Sequence, residues 1–531
     1  MRLTTRLFAI PVLFLTASLH AQSVYNILDY GAKADGQTLS TQAIQSAIDK
    51  AASAGGGTIL FPAGQFLSGT IRLKNNITLR LDAGAVLLGS TNIKDYPHTI
   101  PAIRSYTDNY VKQSLIYGED LTNISLTGNG TIDGQGAAFK IVDRSRPYEN
   151  RPYLLRLINC RDISVSDLHL TNSAMWVQHY LGCERLALRN LTVISHANAN
   201  NDGTDIDGCR DVTISDCVID SEDDAITLKS TLDKPCENIT ITNCIARSRC
   251  NAIKMGTESN GGFVNITISN CVITSSRIAN YRGLAGIALE IVDGGRLDRV
   301  TISNITIQGV SVPLFMRLGN RARPFEKDSP APRVGSFKNV IVSNIVATDV
   351  SPIGCSITGL PDHPIENVSL TNIRLIFEGA GAKDLASKSV PELPGNYPEC
   401  TMFGNLPAYG LYVRHTKGLK LDNIVLQTAK PDLRHAIECD DVENLTVNDL
   451  DAICWPTAAP ILHFIGVRDA MIRACRPRAA DGAFLKLDGP ATRDIVLLGN
   501  ILGRVAETVQ VAAEVPGNAW SLSGNNGAVD R

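Results

Sequence analysis

The sequence predicts an all-β fold, a right-handed parallel β-helix closed at its N-terminal end by a capping helix. Three observations carry this. From Asn123 onward the chain repeats one strand-turn-strand unit, the turn of each unit holds Asn or Asp in the same place, and a clear helical spacing occurs near the start. The repeat reads DISVSDLHL from Asp162, RLALRNLTV from Arg185, DVTISDCVI from Asp211, NITITNCIA from Asn238, NITISNCVI from Asn265 and RVTISNITI from Arg299. It continues as NVIVSNIVA from Asn339, NVSLTNIRL from Asn367, GLKLDNIVL from Gly418 and NLTVNDLDA from Asn444. Central units begin roughly 23 to 34 residues apart, and strand-rich repeats in that range signal a solenoid. Within each unit apolar and polar residues alternate, the pattern of a strand with one buried face.

In chain order, residues 1–21 read as a secretory signal. Arg2 and Arg6 supply the charge, Leu7 to Leu19 the apolar run, and Ala21 a cleavage position before Gln22. The run is short for a transmembrane helix, so a membrane anchor is the lesser alternative. Residues 22–531 then form a single β-helix domain. Residues 22–90 are its N-terminal cap and first coils. Thr41 to Ser53 carries Ala43, Ile44, Ala47, Ile48 and Ala51 at helical spacing, and Gly55-Gly56-Gly57 ends it. Short strands follow at Thr58–Phe61, Thr70–Leu73 and Ile77–Leu81. A helix here caps a sheet end that would otherwise invite pairing with another chain. Residues 476–531, where the repeat weakens, are terminal coils or a closing cap.

The turn residue of successive units is Asp167, Asn190, Asp216, Asn243, Asn270, Asn304, Asn344, Asn372, Asn423 and Asp449. Stacked one strand spacing apart, about 4.8 Å, these side chains can hydrogen-bond in a ladder. The thirteen cysteines follow the same register. Cys217, Cys244 and Cys271 each follow a ladder residue, and Cys160, Cys183, Cys209 and Cys236 precede the repeat strands. Two stacked columns fit buried thiols acting as small apolar side chains, with disulfides between coils as the alternative. The Asn-x-Ser/Thr matches at Asn238, Asn265 and Asn304 are products of the repeat and not glycosylation sites.

Fifty Lys+Arg stand against 53 Asp+Glu, so composition supplies no basic surface for nucleic acid or an anionic membrane. Two excursions interrupt the coils. Arg317 to Arg333 holds Arg317, Asn320, Arg321 and Arg323; Glu378 to Pro407 is rich in Pro and Gly and carries Tyr397, Glu399 and Phe403. Insertions in a solenoid gather on its binding face, or else decorate the surface.

One stretch breaks the local rules. Asn200 to Ser230, NNDGTDIDGCRDVTISDCVIDSEDDAITLKS, holds eight Asp among strand formers. Asp216 belongs to the ladder, and Asp211 and Asp220 are exposed turn or edge residues. Asp205 and Asp207 face the groove without an assigned role. Register sets Asp202-Gly203-Thr204 over Asp224-Ala225-Ile226 over Asn251-Ala252-Ile253. Asp202, Asp224 and Asn251 then share one outward column with Asp223 beside it. Carboxylates this close cannot all ionise at ordinary pKa. One protonated acid beside one carboxylate is what glycoside hydrolysis requires. A stacked-Asp calcium site is the alternative.

These residues also resemble a family. YNILDYGAKADG and GGGTILFPAGQFLSG near the N-terminus, NNDG at Asn200–Gly203 and EDDA at Glu222–Ala225 are similar to the opening coils, the Asn-Thr-Asp-Gly and the Gly-Asp-Asp of glycoside hydrolase family 28. That family comprises polygalacturonases and rhamnogalacturonan hydrolases. The resemblance implies a pectin lyase-like solenoid and an inverting mechanism without a metal or other cofactor. It makes Asp223 the general acid, with Asp202 and Asp224 positioning and deprotonating water. Two departures follow. The family's Gly-His-Gly is Cys250-Asn251-Ala252 here, and its Arg-Ile-Lys, which grips a uronate carboxylate, is Ala288-Leu289-Glu290. The resemblance therefore leans to rhamnogalacturonan-type hydrolases, which also lack that His. Asn200, Asn251, Lys229, Lys254, Glu290, Arg317 and His179 are the expected substrate-binding residues, with Trp176 beside them. The expectation is a secreted or periplasmic monomer acting on a pectin-type acidic polysaccharide, by exo attack. A lyase on the same fold and a non-catalytic carbohydrate-binding solenoid are the alternatives.

Overall fold

The computed structural model describes residues 23–103, 111–141, 148–278, 281–326, 328–477 and 482–527. The expected leader lies outside them. Successive coils stack strand on strand, and paired strands run parallel. Three strand columns make up each central coil. One runs through Tyr153–Ile158, Gln178–Leu181, Thr204–Asp207, Ile226–Ser230 and Ile253–Ser259. The second runs through Arg161–Ser166, Glu184–Arg189, Arg210–Ser215 and Cys236–Thr242. The third takes His169–Thr171, Thr192–Ser195, Val218–Ser221 and Ile245–Ser248. From Gly262–Ser275 onward the second and third fuse into single long strands.

Alternation in the repeat becomes a stack of branched aliphatic neighbours. Ile163, Leu186, Val212, Ile239, Ile266, Val300, Val340 and Val368 sit in register on consecutive coils, all within the core. Each such side chain contributes about 1.5–3 kcal/mol on burial.

The turn ladder forms as the repeat implies, and the backbone explains its composition. Ladder residues from Asp167 to Asp449 have φ between 51° and 62°, the left-handed region that Asn and Asp tolerate best after Gly. Asn190 Nδ2 donates to Asp167 (2.8 Å), Asn344 to Asn304 (2.8 Å) and Asn372 to Asn344 (2.7 Å). A second ladder runs along the residues that open the repeat strings. Asn238 donates to Asp211, Asn265 to Asn238 and Asn367 to Asn339, again at positive φ. The amides of Asn238, Asn265 and Asn304 are thus committed to ladders. All thirteen cysteines are free thiols, and only Cys250 is not fully buried. Thiol packing, not cross-linking, is what the columns do.

The helix spans Thr41–Ser53 and buries Ile44, Ala47, Ile48 and Ala51, with Gly55 and Gly56 at positive φ behind it. The strands after it are Gly57–Phe61, Gly64–Ser68, Ile71–Arg72, Ile77–Leu81 and Ala85–Gly89. Beyond residue 476 the stacking continues through Ala483–Asp488, Arg493–Leu498, Glu507–Val511 and Trp520–Ser523. The Glu378–Pro407 excursion has little regular structure beyond a short 3-10 turn at Lys383–Ser387. A buried Arg434–Asp432 pair pins its base: Asp432 accepts from the Gly381 N–H (2.9 Å), and Arg434 donates to the Leu406 carbonyl (2.9 Å).

Candidate active site

The acidic stretch lies across two coils of the first strand column. Register pairs His179 with Asp205, Asp205 with Thr227 and Thr227 with Lys254. Asp202, Asp224 and Asn251 therefore stack at the mouth of consecutive strands. Asn201, buried just before Asp202, ties this turn down. Its Nδ2 donates to the carbonyls of Ser173 and Met175 (3.0 Å each), and its Oδ1 accepts from Ser195 Oγ. Asp223 occupies the turn between Val218–Ser221 and Ile226–Ser230. The hydroxyls of Ser221 and Ser248 both donate to its carbonyl at 2.7 Å, which fixes the direction of its side chain.

Each carboxylate has a different environment. Asp224 accepts at Oδ1 from the N–H (3.0 Å) and Nδ2 (2.8 Å) of Asn251, and its Oδ2 lies 3.0 Å from Lys254 Nζ. Burial opposes its charge, but Lys254, Lys229 and Asn251 outweigh burial and hold its pKa below the ordinary carboxylate value. Asp223 accepts from the Asp224 N–H (2.9 Å) and more weakly from Asn200 Nδ2 (3.4 Å). Burial, and then the Asp224 charge, push its pKa up. Asp202 is 3 % exposed, with Oδ2 3.5 Å from Lys229 Nζ. Burial raises it well above the usual range, and Asp223 and Asp205 add to that. Asp205 is sealed; its oxygens accept no hydrogen bond, and burial lifts its pKa to about 8 although Lys229 Nζ is 3.5 Å away. Lys229 cannot neutralise every neighbour, because it also meets Glu258 (3.4 Å) and lies over the Trp176 ring.

The pocket above them is lined by Tyr148, Trp176, Asn200, Lys229, Glu258, Arg323 and Tyr397, with Asp202, Asp223 and Asp224 in its floor. Both excursions reach it, one through Arg323 and the other through Tyr397. Tyr397 Oη is 3.5 Å from Lys254 Nζ, and its ring lies beneath Arg321.

The expected binding residues divide by depth. Asn200 and Lys229 line the pocket, while Asn251 and Lys254 lie just behind it and act on Asp224. His179 is fully buried, edge-on to Trp176 with Nε2 3.2 Å from Asp207. Direct sugar contact by His179 is thereby corrected; its place is to support Trp176. Arg317 is corrected likewise. It is 1 % exposed and donates to the carbonyls of Glu392 (2.6 Å), Leu393 and Gly359, clamping the second excursion. Glu290 is fully buried behind Lys254, with burial pushing its pKa well up. Asp207 does not face the groove, since it accepts from Thr231 N (2.8 Å) and Oγ1 (2.7 Å) within the wall. Asp220, expected to be exposed, is instead buried within the strand Val218–Ser221, with its Oδ1 2.9 Å from His196 Nε2, whereas Asp216 sits in the ladder and accepts from Asn243.

Sequence reasoning missed Glu258 and Arg151. Arg151 is buried and donates to the Ala174 carbonyl (2.8 Å) and to Asn200 Oδ1 (3.3 Å), orienting Asn200 toward Asp223. Nothing near Arg151 in the sequence marks it, because its partners are 23 to 49 residues away. Glu258 carried a weak signal, an acid four residues after Lys254 on the same strand, Ile253–Ser259, between Gly256 and Gly261-Gly262.

Comparison with known proteins bears on what this arrangement is. The model of the family described as glycosyl hydrolases family 28 matches residues 53–393. The chain belongs to glycosyl hydrolases family 28. The family match spans the acidic stretch, both excursions' starting points and every pocket residue named above except Tyr397. A protein described as a probable polygalacturonase from Vitis vinifera is 28% identical over 431 residues, covering 76% of this chain and 85% of that one. An exo-poly-alpha-D-galacturonosidase from Dickeya chrysanthemi is 27% identical over 260 residues, 40% of this chain and 42% of its own. Among solved structures, an exopolygalacturonase from Thermotoga maritima superposes with a TM-score of 0.60 at 20% identity, over 76% of this chain and 92% of that one. The polygalacturonase of Erwinia carotovora gives 0.54 at 19%, over 70% and 96%. These two likenesses show the fold, the right-handed β-helix expected from the repeat. As a family 28 member the chain is a polygalacturonase-like glycoside hydrolase. None of the described helices is long and apolar enough to cross a membrane.

Proposed function

We propose that this protein is an inverting hydrolase of a pectin-type acidic polysaccharide, of galacturonan or rhamnogalacturonan kind, exported to the periplasm or beyond and active as a monomer. One observation carries the chemistry: adjacent carboxylates whose pKa values are driven apart, Asp223 upward and Asp224 downward. Such a pair assigns an acid and a base. Protonated Asp223 delivers its proton to the glycosidic oxygen as the bond to the anomeric carbon breaks. Asp224, held ionised by Lys254 and Asn251, takes a proton from the water that attacks the opposite face. Asp202, raised by burial, hydrogen-bonds that water and shares the Lys229 charge with Asp205.

The pocket suggests the substrate. Ala288, not a cation, is the register partner of Lys254, so the family's uronate grip is missing there. Arg323, 42% exposed at the side chain, stands in the pocket wall from another direction, and a guanidinium suits a carboxylate. Tyr148, in the pocket wall, offers a ring face to a sugar. Tyr397 reaches across from the second excursion, which supports a closed end and release of short products from a chain terminus.

Incubation with galacturonan and with rhamnogalacturonan, followed by sizing of products, tests this. Short products from the outset support exo action, and an early ladder of long oligomers refutes it. Products that absorb as unsaturated uronates would make the enzyme a lyase. Asp223→Asn is expected to lower turnover about 10²–10⁴-fold; near-normal turnover would remove Asp223 as the acid.

A further inference from the structure

The strand column that carries Lys254 continues through Ala288, Phe315, Ser356 and Tyr412 to Glu438 and then His463. Glu438 is thus five rungs beyond Lys254, about 24 Å at the usual strand spacing, well outside the catalytic pocket. Here His435, Glu438 and His463 bring two imidazole nitrogens and a carboxylate oxygen within 4.8 Å of one another. All three are buried. Glu438 Oε2 lies 2.8 Å from His463 Nδ1 and 4.0 Å from His435 Nε2.

The far side of each ring decides what the near side can be. His435 Nδ1 is 2.6 Å from the Pro460 carbonyl, which only accepts, so Nδ1 carries the hydrogen. In the neutral ring, Nε2 then carries the lone pair, 4.0 Å from Glu438 Oε2, and the Ala386 backbone also lies within bonding reach of the ring. His463 Nε2 lies 2.6 Å from Asp488 Oδ2, so it too donates outward, and Asp488 is balanced by Lys486 at 2.6 Å. With Nε2–H donating, neutral His463 turns a second lone pair on Nδ1 toward Glu438. Metal-binding histidines have this signature: the outer N–H is held by a carbonyl or carboxylate, and the inner nitrogen is free to ligate. Donors about 2.0–2.2 Å from a tetrahedral ion lie about 3.3 Å apart, between the two separations seen here.

We propose that His435 Nε2, His463 Nδ1 and Glu438 hold a divalent transition-metal ion of the zinc class. The ion joins the strands His435–Ala452 and Leu462–Ile465. It does so next to the Arg434–Asp432 pair that pins the base of the Glu378–Pro407 excursion. Its role is structural, and it stands whether or not the hydrolase reading does.

The test uses the full-length protein, stripped with a chelator under native conditions and then given Zn²⁺ or Co²⁺. About one ion per chain should be retained through gel filtration, and Zn²⁺ should raise the thermal midpoint. Co²⁺ should give the visible bands of a four- or five-coordinate nitrogen and oxygen site, without near-ultraviolet thiolate charge transfer. His435→Gln and Glu438→Gln should each lose the ion and the thermal shift. Stripped wild-type protein that takes up neither ion at micromolar concentration would overturn the proposal. So would undiminished binding in both variants, or thiolate bands, which would place the ion on the cysteine columns. If the variants do not fold, the wild-type stoichiometry and Co²⁺ spectrum decide by themselves.

Discussion

Replacing Lys254 with Met removes the cation 3.0 Å from Asp224 Oδ2 while keeping most of the side-chain stem. At that distance and an effective dielectric near 20, the attraction is about 5.5 kcal/mol, an upper bound. Removing one member of a buried pair costs about 3–5 kcal/mol. The two hydrogen bonds from Asn251 and the Lys229 charge stay in place, so the lower figure applies. About 3 kcal/mol corresponds to about two pKa units. Asp224 is now held below its ordinary value and is ionised throughout the mildly acidic range. In the variant it stays protonated to higher pH, and a protonated carboxyl cannot accept a proton from water. The acidic limb of the kcat profile should therefore move up by about two pH units, with a much smaller change on the alkaline side. Reducing ends released from galacturonan oligomers at saturating substrate give the profile, and circular dichroism checks that the variant is folded. An acidic limb left in place, or an equal fall at every pH, would refute the argument that Lys254 acts by keeping Asp224 ionised.

Three further outcomes are expected. Asp205 has a raised pKa, so its contribution to stability is full below the unfolded value near 3.9 and is lost as pH climbs through about 8. Asp205→Asn should flatten the decline of the thermal midpoint across that window, and an unchanged slope would show that Asp205 does not titrate there. Asn304, at φ 58°, donates to Asn270 and accepts from Asn344. Asn304→Ala should cost about 2–3 kcal/mol from lost hydrogen bonds plus left-handed strain, and Asn304→Gly less; hydrogen exchange in neighbouring coils reads the difference, and a costlier Gly would contradict the strain argument. Thiol titration of the unfolded protein without reductant should count thirteen, and a lower count would mean that coils are cross-linked.

The repeat was legible because its physics is local and periodic. Alternation of Val and Ile with polar residues, Asn or Asp at each left-handed turn, and Cys one place beyond are constraints that a single unit already obeys, and stacking merely multiplies them. The family motifs were legible too, as NNDG and EDDA are short and carry their own turn geometry. Depth was not. His179 and Arg317 have the chemistry of sugar-binding residues, yet one lies beneath Trp176 and the other clamps loop carbonyls at Glu392 and Leu393. Polar side chains on an outward face are buried when an excursion folds over them, and no periodicity reports where an excursion lands.

The acidic stretch shows the same division. From sequence alone, eight Asp on two adjoining coils require that some of them give up their charge, because carboxylates one strand spacing apart repel. Which of them do so is a tertiary matter. Asp224 stays ionised because Lys254, from the next coil, and Asn251 reach it. Asp223 and Asp202 rise because the folded coils bury them and set other carboxylates beside them, Asp224 next to Asp223, and Asp223 and Asp205 next to Asp202. Strand identity depends on neighbours in the chain, but a pKa depends on which charges and how much water lie within a few ångströms, and only the folded coils determine that.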